Sequence, residues 1–491
     1  DSSRRTVGEV EEHFHRYWND RTRDGKYWAE LKEFVEKSLK RVDLFGGGYM
    51  TPLGGRFYMD HGYFEGCTPE SADPFELLAC ELAQDELIAE EFGQLFGDDP
   101  RRPRLYKNIS DGQGHSQAAH RNFCISQDLW FRLMSWESGI VDFNNIRSQT
   151  RINRETMLLA TWHVVEQILG GAGKYGWESP RESNLLESCA IDRSTFQLSG
   201  RADFITCLIS SNTVMSRPLI NCRLEPLAQD SLGRYHCING DATRAHWSYL
   251  FKIGLTAIFL GMIEDDFYDL DYYVCHPVQA VRNLSRNPEL NEGIEVFFPR
   301  SHQIAEMKPI NILKDILSEM GRYLSSREVP SWCGKIYEKA VWAVHALEHH
   351  RGLLDNVLDW RIKQYLGDRA SSPFAIHSNY HALYGPTLLY KKLVERGLVE
   401  TVIGAEEIKK YRTSPAETSR AYFRGQFLRH FYGQVSFERT SWDRICLFEP
   451  KRYISLSYPL GLTRADCGAI FEKEDLMVAD LEHFFSDPGR R

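Results

Sequence analysis

The chain is short of several things that would each point to a familiar class. Basic residues are in deficit: 59 Lys and Arg stand against 68 Asp and Glu, a formal net charge of −9. A nucleic-acid footprint needs a basic face, so no nucleic-acid partner is expected. The 11 cysteines are scattered, odd in number and never in a CxxC pair. A zinc site needs clustered ligands at short spacing, so the expectation is buried free thiols in a reducing, cytoplasmic setting. No apolar run reaches the roughly 18 residues that span a bilayer. The longest, Ile253–Ile263, contains Gly254 and Gly261 and stops at Glu264-Asp265-Asp266. It reads as a buried helix, and no membrane partner is expected. The N-terminus is polar and charged, unlike a secretory signal. A phosphate loop is missing too. Gly170-Gly-Ala-Gly-Lys174 resembles one, but Ile168 stands where the first glycine is required and Tyr175 where a hydroxyl would hold Mg²⁺.

What remains is an ordinary globular composition, 42% hydrophobic over 491 residues, long enough for a large core and two domains. Helical spacing marks Tyr27–Val42, Pro74–Phe96, Glu155–Leu169 with its Gly170-Gly171 stop, residues 246–264 and much of 305–365. Strands are expected at Arg5–Glu11, Arg56–Asp60, Leu105–Asn108, Phe196–Ser210, Pro218–Arg223 and Arg234–Gly240. Strands and helices in irregular order favour α+β with an antiparallel sheet over a doubly wound fold.

The segment richest in chemistry is Asp60-His-Gly-Tyr-Phe-Glu65-Gly-Cys-Thr-Pro-Glu70, three acids following a strand with glycine and proline between them. Alternation along a strand also places Glu9 and Glu11 on one face. A magnesium ion bridging phosphates needs hard oxygen ligands from several segments. Glu9, Glu11, Glu65 and Glu70, with the distant His236, are candidates; solvated acids are the plainer reading of the same spacing.

Arg56-Phe-Tyr-Met-Asp60-His-Gly-Tyr-Phe-Glu65-Gly-Cys-Thr-Pro-Glu70 resembles, without a gap, the depupylase stretch R-x-Y-V-D-H-A-H-P-E-Y-S-x-P-E. Lys107-Asn108, Asp111, Ser116 and His120-Arg-Asn-Phe123 are similar to K-N-N-T-D…S…H-E-N-Y. Gly170–Lys174 is similar to C-G-A-G-K, and Phe196-Gln-Leu-Ser-Gly-Arg-Ala-Asp-Phe204 to F-Q-I-S-x-R-A-D-F. Arg217-Pro218, Asn221, Arg223, Glu225-Pro226, Arg234-Tyr-His236 and Gly240-Asp241 follow in order. Thr418-Ser-Arg420-Ala-Tyr-Phe-Arg424-Gly425 and Ser441-Trp442-Asp443 complete the series. The chain thus resembles the Pup ligases and depupylases along most of its length.

That resemblance implies a glutamine synthetase-like α+β fold, a curved antiparallel sheet cradle with packed helices. It implies a catalytic domain at 1–375 and a smaller C-terminal domain at 376–491 that contributes to the nucleotide site. It implies ATP and Mg²⁺, with Asp60 as the catalytic carboxylate that takes a proton from an amine or assists attack on an amide. Glu9, Glu11, Glu65, Glu70 and His236 become magnesium ligands or their supports. Arg420 and Arg424 would neutralise phosphate oxygens. Trp442 would stack on adenine, and Arg201, Arg223 and Asn122 would hold a substrate carboxylate. The implied partners are a glutamate- or glutamine-ended small protein or peptide, or a small glutamyl-like substrate, and a lysine-type amine acceptor.

Some positions depart from the pattern. Arg121 replaces Glu, reversing a charge expected in the pocket region. Leu224 and Leu227 replace Asp and His of D-E-P-H, Ile109 replaces Asn, and Tyr63-Phe64 replace His-Pro. Only 48 residues separate Glu11 from Asp60, a spacing similar to the ligases, because depupylases carry a long extra loop there. The expectation is a carboxylate–amine ligase working through an acyl phosphate. A depupylase- or deamidase-like amidohydrolase is the alternative. A nucleotide-binding pseudoenzyme that holds a peptide or modifier is a third reading.

Overall fold

Period-two sequences build the central sheet. The computed structural model describes residues 2–4, 48–60, 63–96, 104–110, 114, 116–134, 153–178, 192–213, 217–437, 439–448 and 452–481. Its first eleven strands are β1 (Ser2–Arg4), β2 (Gly48–Met50), β3 (Arg56–Asp60), β4 (Tyr63–Cys67), β5 (Leu105–Tyr106), β6 (Ala119–Ser126), β7 (Lys174–Trp177), β8 (Asp192–Gln197), β9 (Cys207–Ser210), β10 (Pro218–Asn221) and β11 (Leu232–Cys237). Eight of them form one sheet in the order β2-β3-β4-β1-β6-β11-β10-β9. Every pair is antiparallel except β9 with β10. The molecule is therefore mixed α+β.

The helices used below are α1 (Pro74–Phe96), α2 (Gln127–Met134), α3 (Arg154–Val165), α4 (His246–Glu264), α5 (Ser331–His349), α6 (Asp359–Gly367) and α7 (Ala421–His430). The expected buried helix at 253–263 is the second half of α4. This helix is long and apolar enough to cross a membrane by length and composition, but 89% of its apolar window is buried inside the protein. It packs with α3 and α5 in the main apolar core. A second cluster joins Met50, Phe57, Phe92 and Leu105 to Phe423, Phe427, Ile445 and Ile454. The C-terminal segment thus shares a core with β2, β3 and α1. The boundary expected at 375 falls inside the helix Pro373–His381.

Two sequence expectations change. Phe196–Ser210 is not one strand: β8 ends at Gln197, a 3-10 turn occupies Ala202–Phe204, and β9 begins at Cys207. The Asp241 carboxylate explains the break. It accepts from Ser199 Oγ (3.0 Å), Arg201 N (2.9 Å) and Ala172 N (2.8 Å), drawing these backbones out of a ladder. The expected strand at Leu105–Asn108 stops at Tyr106, and Lys107 turns inward to pair with Glu81 and Asp85 (3.3 Å). The Arg5–Glu11 strand and Tyr27–Val42 helix lie outside the described residues. The cysteines that are described are free thiols, most of them buried.

The loop before β7 is packed so tightly that only glycine fits. Gly173 has φ +71°, and a Cβ there would sit 2.6 Å from Trp360 Cα on α6. Gly334, inside α5, has open space within 4 Å. We expect Gly173→Ala to cost about 2 kcal/mol or more. Gly334→Ala should stabilise by roughly 0.5–1 kcal/mol through helix propensity. Urea unfolding of the two variants checks this, and shifts of the same sign would refute it.

Candidate active site

Alternation along four strands sends one set of side chains to a common cavity of about 1060 Å³. Arg56 and Tyr58 come from β3, Glu65 and Cys67 from β4, His120, Asn122 and Cys124 from β6, and Arg234 and His236 from β11. The register aligns them: Tyr58 lies opposite Glu65, and Asn122 opposite His236. Side chains between them, such as Phe57 and Tyr235, point into the apolar cores. The loop after β10 adds Arg223, Glu225 and Leu227, and the C-terminal segment adds Arg420, Trp442, Pro459 and Leu460.

Glu70 fastens that C-terminal segment to the sheet. Its Oε1 accepts from Arg420 Nε (2.9 Å) and Arg424 Nη1 (3.3 Å), and its Oε2 from Arg424 Nη2. Arg420 also donates to the carbonyls of Leu456 and Leu227 (2.9 Å to the latter). Arg424 donates to the carbonyls of Trp442 (2.8 Å) and Gly54 (2.6 Å). Its guanidinium lies 5.0 Å from the Trp442 ring centre, a cation–π contact. The backbones approach closely enough to require glycine: at Gly54 (φ +80°) a Cβ would fall 2.8 Å from the Ala421 carbonyl oxygen. Burial alone would raise the Glu70 carboxyl, but the Arg424 and Arg420 guanidiniums hold it down at about 2.

Seven of the residues singled out from the sequence meet at the cavity: Glu65, Glu70, Asn122, Arg223, His236, Arg420 and Trp442. Asp60 ends β3 opposite Tyr63, and its side chain lies outside the described residues, as do Glu9 and Glu11. Two are not brought to the cavity wall. Arg201 is buried and donates to Ile238 O (3.0 Å) and Ser116 Oγ (2.8 Å). Arg424 lies behind Arg420, fully buried, with its two terminal nitrogens on Glu70 and two carbonyls. Glu70 itself has both oxygens on guanidiniums and orients Arg420. Among the described residues no three His, Cys, Asp or Glu side chains are grouped to hold a metal.

His120 was not singled out from the sequence, yet its Nδ1 lies 3.4 Å from His236 Nε2, with the rings edge to face at 5.1 Å. Its place at the head of His120-Arg-Asn-Phe123 was the available signal. Arg56, Tyr58 and Arg234 were missed in the same way, as motif positions without an assigned role.

The charge reversal at Arg121 does not reach the cavity. Arg121 is fully buried on the opposite face of β6, paired through Nη1 and Nη2 (2.8 Å each) with Glu166. Glu166 holds the Arg121 guanidinium firmly charged against the effect of burial. The pocket keeps the charge its own residues dictate, which removes one motive for the pseudoenzyme reading.

The fold is that of PafA. A crystal structure of the complex between prokaryotic ubiquitin-like protein Pup and its ligase PafA matches with TM-score 0.70 at 21% identity, covering 93% of this chain and 88% of that one. A structure of the Pup ligase PafA with ADP also matches at 0.70 and 21% identity, covering 92% and 94%. The sequence carries the assignment further. The family model described as Pup-ligase protein matches residues 2–446, so the chain belongs to the Pup ligase/depupylase family, a family of enzymes. A depupylase of Acidothermus cellulolyticus is 27% identical over 472 residues, 92% of this chain and 86% of the relative. A Pup–protein ligase of Kineococcus radiotolerans is also 27% identical, over 77% of this chain and 79% of the relative.

The Glu70 anchor sets a pH signature. Its folded pKa lies below the ordinary 4.5, so the stability it contributes is present above that value and is lost as pH falls toward about 2. On the order of 3 kcal/mol should disappear over that window. Denaturant titrations between pH 5 and 2 (roughly the linkage window) should show a shallower acid loss for Glu70→Gln than for wild type. Parallel curves would exclude this anchor.

Proposed function

We propose that this protein is an ATP- and magnesium-dependent carboxylate–amine ligase that forms an amide or isopeptide bond at a glutamyl-type carboxylate. The observation that carries the reading is the composition of this cavity, with carboxylate and imidazole groups on its sheet floor and guanidinium and indole groups on its C-terminal wall. The donor chemistry fits both groups. Glu65 and His236, with Glu9 and Glu11, would hold the cation, which favours hard oxygen ligands. Arg420, oriented by Glu70, would face the phosphates, and Trp442 offers a flat apolar surface for a base. Bound nucleotide and magnesium would supply the phosphoryl activation that an unreactive carboxylate needs. A curved sheet would present this floor as a cradle.

The remaining work falls to the chain's own side chains. Arg223 and Asn122, on the cavity wall, would orient the glutamyl carboxylate. Asp60 would take the proton from the attacking lysine-type amine. The partner in this reading is a glutamate-ended small protein or peptide, or a small glutamyl-like substrate. The 48-residue spacing between Glu11 and Asp60 supports the ligase direction. A deamidase or depupylase direction, with a glutamine-ended or isopeptide substrate, is favoured by a different observation. The depupylase of Acidothermus cellulolyticus matches over 92% of the chain and the Kineococcus radiotolerans ligase over 77%.

Incubation with ATP, Mg²⁺ and glutamate- or glutamine-ended peptides separates the two, followed by ADP release and product mass. The ligase reading expects one ADP per amide gained. Amide loss without net ATP consumption would replace it with the amidohydrolase, and bound nucleotide with neither product would sink both. Asp60→Asn should lower turnover by about 100-fold or more while nucleotide still binds.

A further inference from the structure

The face of β6 and β11 turned away from the cavity carries a closed polar cluster inside an otherwise apolar core. Glu166, just beyond α3, is its centre. It accepts from Arg121 Nη1 and Nη2 (2.8 Å each), His163 Nδ1 (2.9 Å), Asn239 Nδ2 (3.0 Å) and Thr256 Oγ1 (3.2 Å). Arg121 Nη1 also donates to the Lys252 carbonyl (2.9 Å), and Nη2 to Asn239 Oδ1 (2.9 Å). Lys252 sits in the π-wound turn Phe251–Leu255 of α4. A π turn shifts the backbone ladder and leaves carbonyls available to side chains, and Arg121 takes up this one. The Tyr235 hydroxyl donates to His163 Nε2 (2.6 Å). Burial keeps His163 neutral, consistent with its Nδ1–H donating to Glu166. One carboxylate thereby ties together α3, α4, β6 and β11.

None of these side chains lines the cavity. Their sequence neighbours do. Arg121 lies between His120 and Asn122, and Tyr235 precedes His236. Arg121 pairs with Cys237 across the strands, directly beside the Asn122–His236 pair. A side chain locked on one face of a pleated strand fixes the orientation of its neighbours on the other.

We propose that the Arg121–Glu166 pair is a positioning device for the site. It sets the register and pleat of β6 against β11, and with them the mutual placement of His120, Asn122 and His236. Arg121 contacts no reacting group and acts through the residues on either side of it. The kinetic part of this inference rests on the enzymatic reading above; the geometric part does not.

The test uses the full chain labelled at histidine, with His120 and His236 assigned in NMR spectra by single His→Gln variants. Arg121→Gln removes the charge, Arg121→Lys keeps it, and Asn239→Ala deletes one partner of the cluster. Ile316→Ala, a core truncation in the helix Pro309–Ser325, controls for lost stability alone. In folded protein, the His120 and His236 resonances should move in Arg121→Gln, move less in Arg121→Lys and Asn239→Ala, and stay in place in Ile316→Ala. Turnover should fall about tenfold or more in Arg121→Gln, with the nucleotide KM changed less than about twofold and partial rescue by lysine. Unmoved histidine resonances in folded Arg121→Gln would overturn the proposal. If that variant does not fold, unmoved resonances in both Arg121→Lys and Asn239→Ala would do the same. A wild-type chain without turnover would defeat the functional reading and leave the histidine spectra to decide the positioning.

Discussion

A single carboxylate held between two guanidiniums joins the ends of this chain. Glu70 closes the acidic segment after β4, and Arg420 and Arg424 come from 350 and 354 residues further on. Through that contact the C-terminal segment is ion-paired to the segment after β4, and Arg420 and Trp442 form a wall of the cavity. The interaction is strong because it is largely withdrawn from water, bidentate, and extended by carbonyls from four other points in the chain. The apolar cluster shared by β2, β3, α1 and α7 lies beneath it and gives the contact a rigid base. Removing either arginine would leave a half-buried carboxylate short of a partner, a larger penalty than the loss of a surface ion pair.

The sheet separates two polar systems with different tasks. On the cavity face, His120, His236 and Glu65 stand among arginines in a space large enough for a ligand. On the other face, Arg121, Glu166, His163 and Tyr235 are bonded to one another and do not line the cavity. Neighbouring residues of the same strand serve opposite faces, which is why a charge reversal at position 121 leaves the pocket untouched. Compensation came from Glu166, 45 residues away in sequence, and from a π-wound turn that presents a carbonyl at the right depth.

Much of the architecture could be read from local pattern. The bounds of α1 and β3 were legible because apolar periodicity and flanking glycine or proline punctuate them cleanly. Residues 196–210 read as one strand because they have β propensity, and only the distant Asp241 breaks the ladder. The motif positions Glu65, His236 and Arg420 were found, since each stands in a distinctive string. His120 also stands in such a string, but its role shows only where His236, on a neighbouring strand, faces it.

The sequence by itself determined the family, the α+β character and the residue types available for chemistry, because these follow from composition, periodicity and collinear motifs. Only the tertiary structure decided which charged groups face the cavity and which hold the scaffold. Arg201, Arg424 and Glu70, read as groups for substrate, phosphate and magnesium or its support, each form hydrogen bonds to partners from distant parts of the chain. A charged side chain declares its charge in the sequence. Whether that charge is spent inside the protein depends on a partner whose position is fixed only when distant strands and helices meet.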